Sequence, residues 1–283
     1  MPFRLRHLTI FGVGLIGGSL AAAVRKAIPD CHITGVGRDP ARLQPLLETG
    51  CLNEVHSHGS IAVRSADLVV FCTPVDRIVD GVRAVAADCP HGAILTDAGS
   101  VKAPICDALG TSPAAGVEFL GSHPLAGSER RGWEAAQPDL FRNRVCVLTP
   151  QAENSPAAIE FVRRFWETVG MQVRLMGPAA HDRTLALTSH LPHWLASSLA
   201  GLLDEEHRPF TATGFRDTTR IASGDPELWA AIFLANRTAL LEVLDRHRQM
   251  LVEYQTALVE EDRDTLIRLL AAAKFQRDQL RAD

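Results

Sequence analysis

Short apolar runs recur through the first part of the chain at residues 8–13, 33–37, 68–72, 93–96, 117–120 and 145–148. Each is too short for a helix and reads as a buried strand. Stretches with helical spacing lie between several of them, as at 15–27 and 40–48, and another follows at 157–169. Strands alternating with helices predict a Rossmann-like α/β domain built on a parallel or mostly parallel doubly wound sheet. Residues 150–156 read as a loop and 172–175 as a last strand. After Gly177-Pro178 the strand-like runs stop. Leu228, Ile232 and Leu234 continue into Leu240, Leu241 and Leu244 at helical intervals, and no glycine or proline occurs from Glu227 onward. The expected division is a dinucleotide-binding domain over 1–177 and an all-α substrate-binding and dimerisation domain over 178–283. Helices this long on so small a domain have apolar surface left for a second copy, so a homodimer is expected.

Composition narrows the function classes. The 283 residues are 46% hydrophobic and 22% charged, which suits a globular protein and excludes a disordered one. A net charge of −4 provides no basic field for nucleic acid or an anionic membrane. No run of about 18 apolar residues is present to cross a bilayer. Cys31, Cys51, Cys72, Cys89, Cys106 and Cys146 form no C-x-x-C pair, and with the N-terminus running almost directly into a strand no signal peptide is expected. Reduced thiols in the cytoplasm are expected.

Gly12-Val13-Gly14-Leu15-Ile16-Gly17 follows a strand and opens a helix, the context that the G-x-G-x-x-G pattern requires. The first glycine allows a tight turn, the second lets backbone approach a pyrophosphate, and the third allows close helix–strand packing. About twenty residues on, where an NAD site usually carries an acid, the chain reads Gly37-Arg38-Asp39. Arginine in that place suits a 2′-phosphate and predicts NADP. In the alternative, Arg38 is a solvated surface charge, Asp39 holds the ribose and the cofactor is NAD. The residues expected to hold the cofactor are Gly12, Gly14, Leu15, Ile16, Gly17 and Arg38, with Thr73 and Pro74 at the end of the 68–72 run.

Further motifs carry chemistry. Gly121-Ser122-His123-Pro124-Leu125-Ala126-Gly127-Ser128-Glu129 sets a histidine among small residues, where a ligand can approach it. Pro124 restricts His123 to extended or turn geometry, and the segment reads as a loop after the 117–120 strand. A neutral imidazole beside a nucleotide loop points to redox chemistry with a proton taken by a base. Thr96-Asp97-Ala98-Gly99-Ser100-Val101-Lys102 closes a strand and opens a helix, placing Ser100 at the edge of the sheet where ligands bind. His181-Asp182 and Ser189-His190-Leu191-Pro192-His193 put polar groups on apolar helix. His190 and His193 lack the further ligands that zinc requires, so no metal is expected. Gly214-Phe215-Arg216-Asp217-Thr218-Thr219-Arg220 and Ser223-Gly224-Asp225-Pro226-Glu227-Leu228-Trp229 complete the set.

These segments, in this order over nearly the whole chain, resemble the prephenate/arogenate dehydrogenase family of tyrosine biosynthesis, with Gly37-Arg38 most like its NADP-using arogenate branch. The resemblance implies oxidative decarboxylation of a cyclohexadiene acid with hydride transfer to NAD(P)+. It assigns His123 as the base, Ser100 as a hydrogen-bonding partner of His123 or of the substrate hydroxyl, and Lys102 as a brace. It maps the substrate carboxylate onto Arg220 and a second contact onto His193. Ser128 is expected among the substrate-binding residues, and Glu129 and Asp217 are expected to gate or order the pocket. Trp229 is expected to line it from a neighbouring subunit or to be a core aromatic.

Two other readings compete. A dehydrogenase of the β-hydroxyacid kind resembles this layout but relies on a lysine in its helical domain, and none occurs between Lys102 and Lys274. A non-catalytic NADP-binding protein would have no reason to keep Ser100, His123 and Arg220 together.

Overall fold

The computed structural model describes residues 3–128 and 130–280. The chain opens with β1 (His7–Phe11), α1 (Leu15–Ala27) and β2 (His32–Val36), followed by α2 (Gln44–Glu48), β3 (Glu54–His56) and α3 (Gly59–Ala62). Next come β4 (Leu68–Phe71), α4 (Val75–Val85), β5 (Ile94–Asp97), α5 (Ala103–Leu109) and β6 (Glu118–Phe119). These strands form one parallel sheet in the order β3-β2-β1-β4-β5-β6. The chain crosses over at β1, so the crevice beyond the carboxyl ends of β1 and β4 is where a ligand binds in such a sheet.

Both faces of the sheet are buried, which accounts for the continuous apolar runs. Alternate residues serve opposite faces. Leu8, Ile10, Leu68 and Val70 pack with Leu20 and Val24 of α1. Val69, Phe71 and Leu95 pack with Ile78 and Val82 of α4 and Ile105 of α5.

A second sheet follows: β7 (Gly121–Pro124), β8 (Val145–Thr149) and, after α6 (Pro156–Thr168), β9 (Gln172–Leu175). β7 runs antiparallel to β8, and β9 parallel to it. His123 is therefore on a strand, opposite Val147, rather than in the expected loop. Pro124 fits there because its fixed φ suits the end of an edge strand, where no ladder donor is needed. β3 was also absent from the apolar pattern, since its three residues, Glu54, Val55 and His56, are partly exposed and polar at both ends.

The helical part comprises α7 (Pro178–Leu185), a π-helical turn (Ala186–His190), α8 (Leu191–Gly201), α9 (Thr213–Thr219), α10 (Pro226–Ala235), α11 (Arg237–Val259) and α12 (Arg263–Gln279). The change to all-helical texture comes after Gly177, whereas the chain divides into compact units between Asn236 and Arg237. The second unit is the α11–α12 pair. Its turn has Glu261 at φ 56°, and Asp262 caps α12 by accepting from the amides of Asp264 and Thr265. Leu241, Leu251, Val259, Leu270 and Phe275 of this pair are all exposed. No helix among the described residues is long and apolar enough to cross a membrane.

Candidate active site

The nucleotide loop is built by steric exclusion. Gly12 has φ +80°, and a Cβ there would lie 2.8 Å from the Cys72 carbonyl oxygen. At Gly17 a Cβ would run into the carbonyl of Gly12, while a Cβ at Gly14 would meet nothing within 4 Å. The loop is thus closed toward the protein and open on one side. Gly14 begins α1 without a side-chain cap, so the first-turn amides of α1 face that opening. Thr73, in the adjoining turn after β4, has a buried hydroxyl with no partner among the described residues. Open backbone, unsatisfied helix amides and an orphaned hydroxyl fit a dinucleotide.

At the end of β2, Arg38 and Asp39 are both exposed. Asp39 turns back to accept from the Ala41 amide at 3.1 Å, capping the short turn Pro40–Leu43. Arg38 has no side-chain partner among the described residues.

Beyond β5 a polar cluster is buried beneath the sheet edge. Lys102 and Asp97 are both fully buried and ion-paired, and Lys102 Nζ also donates to the Ser122 carbonyl at 2.8 Å. Asp97 accepts from the amides of Gly99 at 2.9 Å and Ser122 at 3.1 Å. The Ser122 hydroxyl donates to the Asp97 carbonyl and lies 2.8 Å from Thr96 Oγ1, and the Trp166 indole donates to it. β7 is thereby fastened to β5 immediately before His123.

His123 is half-buried. Its Nδ1 lies 2.9 Å from Nε2 of His181, and His181 Nδ1 lies 2.7 Å from Oδ1 of Asp182. Burial holds His123 well below the usual histidine range, and its neighbours His181, Lys102 and His190 act the same way, so the ring is neutral near pH 7. His123 Nε2 has no partner among the described residues. His190 is also buried; burial brings its pKa down to about 4, and Asn236 donates to its Nδ1 at 3.0 Å. His190 Nε2 and His193 Nδ1 are buried without partners among the described residues. His193 stacks on Trp229, ring centroids 3.5 Å apart and planes 11° from parallel.

Two family models match this chain: the prephenate dehydrogenase nucleotide-binding domain over residues 20–175 and the prephenate dehydrogenase dimerization domain over residues 177–272. A cyclohexadienyl dehydrogenase from Zymomonas mobilis is 35% identical over 290 residues, covering 98% of this chain and 97% of that protein. The chain belongs to the prephenate dehydrogenase family. It is an NAD(P)-dependent oxidoreductase of tyrosine biosynthesis, and the reaction is oxidative decarboxylation of a cyclohexadiene acid. Among solved structures, prephenate dehydrogenase from A. aeolicus in complex with hydroxyphenyl propionate and NAD+ superposes with TM-score 0.89. The two are 27% identical, over 99% of this chain and 100% of that one. Synechocystis arogenate dehydrogenase gives 0.81 at 29% identity, over 96% and 99%.

Within that family frame, the expected site residues differ in their settings. His123, His193 and Trp229 lie in the first compact unit, and Trp229 reaches His193 of its own chain. Ser100 lies in the turn after β5, half-buried, and its hydroxyl bonds to no described residue; the partner of His123 is His181 instead. Arg220, at the head of the short turn Arg220–Ser223, and Asp217 on α9 are exposed. Ser128 is exposed and accepts from the Arg130 amide at 3.2 Å. Glu129 lies outside the described residues. Pro74 precedes α4 and is exposed beside Thr73.

His181 and Asp182 were visible in the sequence only as polar residues on an apolar helix. Their partners stand 58 and about 80 positions earlier in the chain, so nothing local announced the network. Asn236, which donates to the Asp182 carbonyl and to His190, was missed altogether.

Proposed function

We propose that His123 is the base that takes the hydroxyl proton of prephenate or arogenate, and that NADP is the preferred cofactor. The observation that carries the first reading is a neutral imidazole on β7, held at Nδ1 and unengaged at Nε2. Both substrates have a ring carboxylate, a hydroxyl on the opposite ring carbon and a side-chain carboxylate. The bound dinucleotide supplies the hydride acceptor. As hydride leaves the hydroxyl-bearing carbon, positive charge builds there, and His123 Nε2 relieves it by accepting the hydroxyl proton. Loss of CO2 then makes the ring aromatic.

Ser100, with its hydroxyl unspent, donates to the substrate oxygen and keeps it facing His123. Arg220 grips a carboxylate bidentately, and His193, steadied by its stack on Trp229, is the second contact. Ser128, Glu129 and Asp217 order the mouth of the pocket. Gly12, Gly14, Leu15, Ile16, Gly17, Thr73 and Pro74 hold the dinucleotide. Arg38 pairs with the 2′-phosphate, a reading supported by Asp39 being spent on the turn that follows.

The family's dimerization domain and the exposed apolar residues of α11 and α12 support a homodimer, with the working division of labour near residue 177. A cytoplasmic location accords with the free cysteines among the described residues. His123→Asn tests the central claim. Turnover should fall by roughly 10²–10⁴-fold with cofactor affinity near normal. Near-wild-type turnover would remove His123 from the mechanism. Parallel kinetics with prephenate and arogenate identify the substrate.

A further inference from the structure

We propose that His181 and Asp182 are positioning residues that fix the tautomer of His123 and hold the charge of the proton it takes. The proposal rests on His123 being the base. Its starting point is the way Asp182 is occupied. Oδ1 accepts from the Lys102 amide at 2.7 Å, and Oδ2 accepts from the Ala103 amide at 2.8 Å. Peptide N–H groups only donate, so both oxygens of this side chain act as acceptors at the start of α5. His181 Nδ1, 2.7 Å from the same Oδ1, must therefore be the protonated nitrogen of its ring.

A neutral His181 then has only a lone pair at Nε2. That nitrogen can face His123 Nδ1 at 2.9 Å in one way, by accepting its proton. His123 is left with its own lone pair on Nε2, the atom without a protein partner. Backbone amides thus dictate, through two rings, which nitrogen meets the substrate.

The same chain disposes of the charge. When the substrate O–H bond breaks, the proton bonds to His123 Nε2. The Nδ1–H of His123 can then pass to His181 Nε2, leaving His123 neutral and His181 cationic against the Asp182 carboxylate. No atom is gained or lost, and the cation moves from a place hostile to it to one beside a carboxylate. Asn236 donates to the Asp182 carbonyl at 2.8 Å and holds this residue from the other side.

The test compares Asp182→Asn, His181→Gln and His181→Phe in the full-length enzyme with cofactor. An Asn in place of Asp182 sets an amide nitrogen against one of the two peptide N–H groups and removes the carboxylate that holds the cation on His181. The comparable change in a Ser-His-Asp triad costs about 10⁴ in kcat. Asp182→Asn and His181→Phe should lose about 10²–10⁴-fold in kcat while KM and cofactor Kd stay within about threefold. His181→Gln should lose clearly less than His181→Phe, because the Gln carbonyl still accepts from His123 Nδ1. Ring ¹⁵N shifts in histidine-labelled protein should show His123 Nε2 bare in wild type. A folded Asp182→Asn with wild-type kcat would overturn the proposal. So would a protonated Nε2 in wild type, or equal kcat in the Gln and Phe variants should Asp182→Asn not fold. Normal turnover in His123→Asn would instead bring down the base assignment, so the two failures are separable.

Discussion

Replacing Lys102 with Met isolates the buried ion pair that fastens β7 to β5. Methionine keeps most of the apolar stem and removes the ammonium. In a group with no solvent exposure, that strands the Asp97 carboxylate with its two remaining amide donors and leaves the Ser122 carbonyl without the donor at 2.8 Å. Removing one partner of a buried pair costs about 3–5 kcal/mol. That is a large share of a total stability on the order of 5–15 kcal/mol. Lys26 provides the control, because its pair with Asp139 is 64% and 59% exposed. Lys26→Met should cost about 0–1 kcal/mol. Urea titration followed by circular dichroism reads both, with the midpoint moving and the slope unchanged if only stability has changed. A Lys102→Met variant that loses less than about 1 kcal/mol would refute the argument that this pair is uncompensated once broken.

Three more outcomes are expected. Arg220→Ala should raise KM for the substrate, with a loss of about 1.5–3 kcal/mol in kcat/KM, the range for hydrogen bonds to charged groups; an unchanged KM rejects the carboxylate clamp. Wild type should favour NADP, Arg38→Ala should weaken NADP and spare NAD, and Gly37→Asp should move preference toward NAD; a wild-type preference for NAD rejects the reading of this turn. With His123 as the proposed base and held well below 6.5, the acid-side fall in kcat/KM should lie below pH 6.5. Stability follows the same sign: the unfolded chain binds protons at His123 and His190 from about pH 6.5, the folded chain only lower, so the urea midpoint should drop as pH falls from there toward 4.

What could be read in the sequence was what depends on neighbours along the chain. The glycine loop was legible because a positive φ at Gly12 and a crowded Gly17 are local requirements. The strands of the parallel sheet other than β3 were legible because burial on both faces leaves them as mostly apolar runs. β7 was not: Gly121-Ser122-His123-Pro124 has no apolar run, and it becomes a strand only because β8, more than twenty positions later, supplies the ladder. His123 stands out by its setting, and Ser100 is the partner that its motif suggests for His123 or for the substrate hydroxyl; the structure gives His123 His181 instead. The choice of His181 is made by the packing of α7 against the start of α5, which no spacing encodes. The all-helical texture after Gly177 was likewise readable, whereas the packing of α7 to α10 in one compact unit with the sheet was not.

The burial of Lys102 has a practical consequence for chemical coupling. The chain has three lysines, and one of them is sealed inside the site. Amine-reactive reagents acting on the folded protein therefore meet two side-chain amines, Lys26 at the end of α1 and Lys274 in α12, both well exposed and one on each compact unit. Attachment to a resin or a dye through lysine is confined to those two addresses. Neither hydrogen-bonds to any member of the histidine network, so an enzyme tethered in this way should keep its catalytic groups chemically intact.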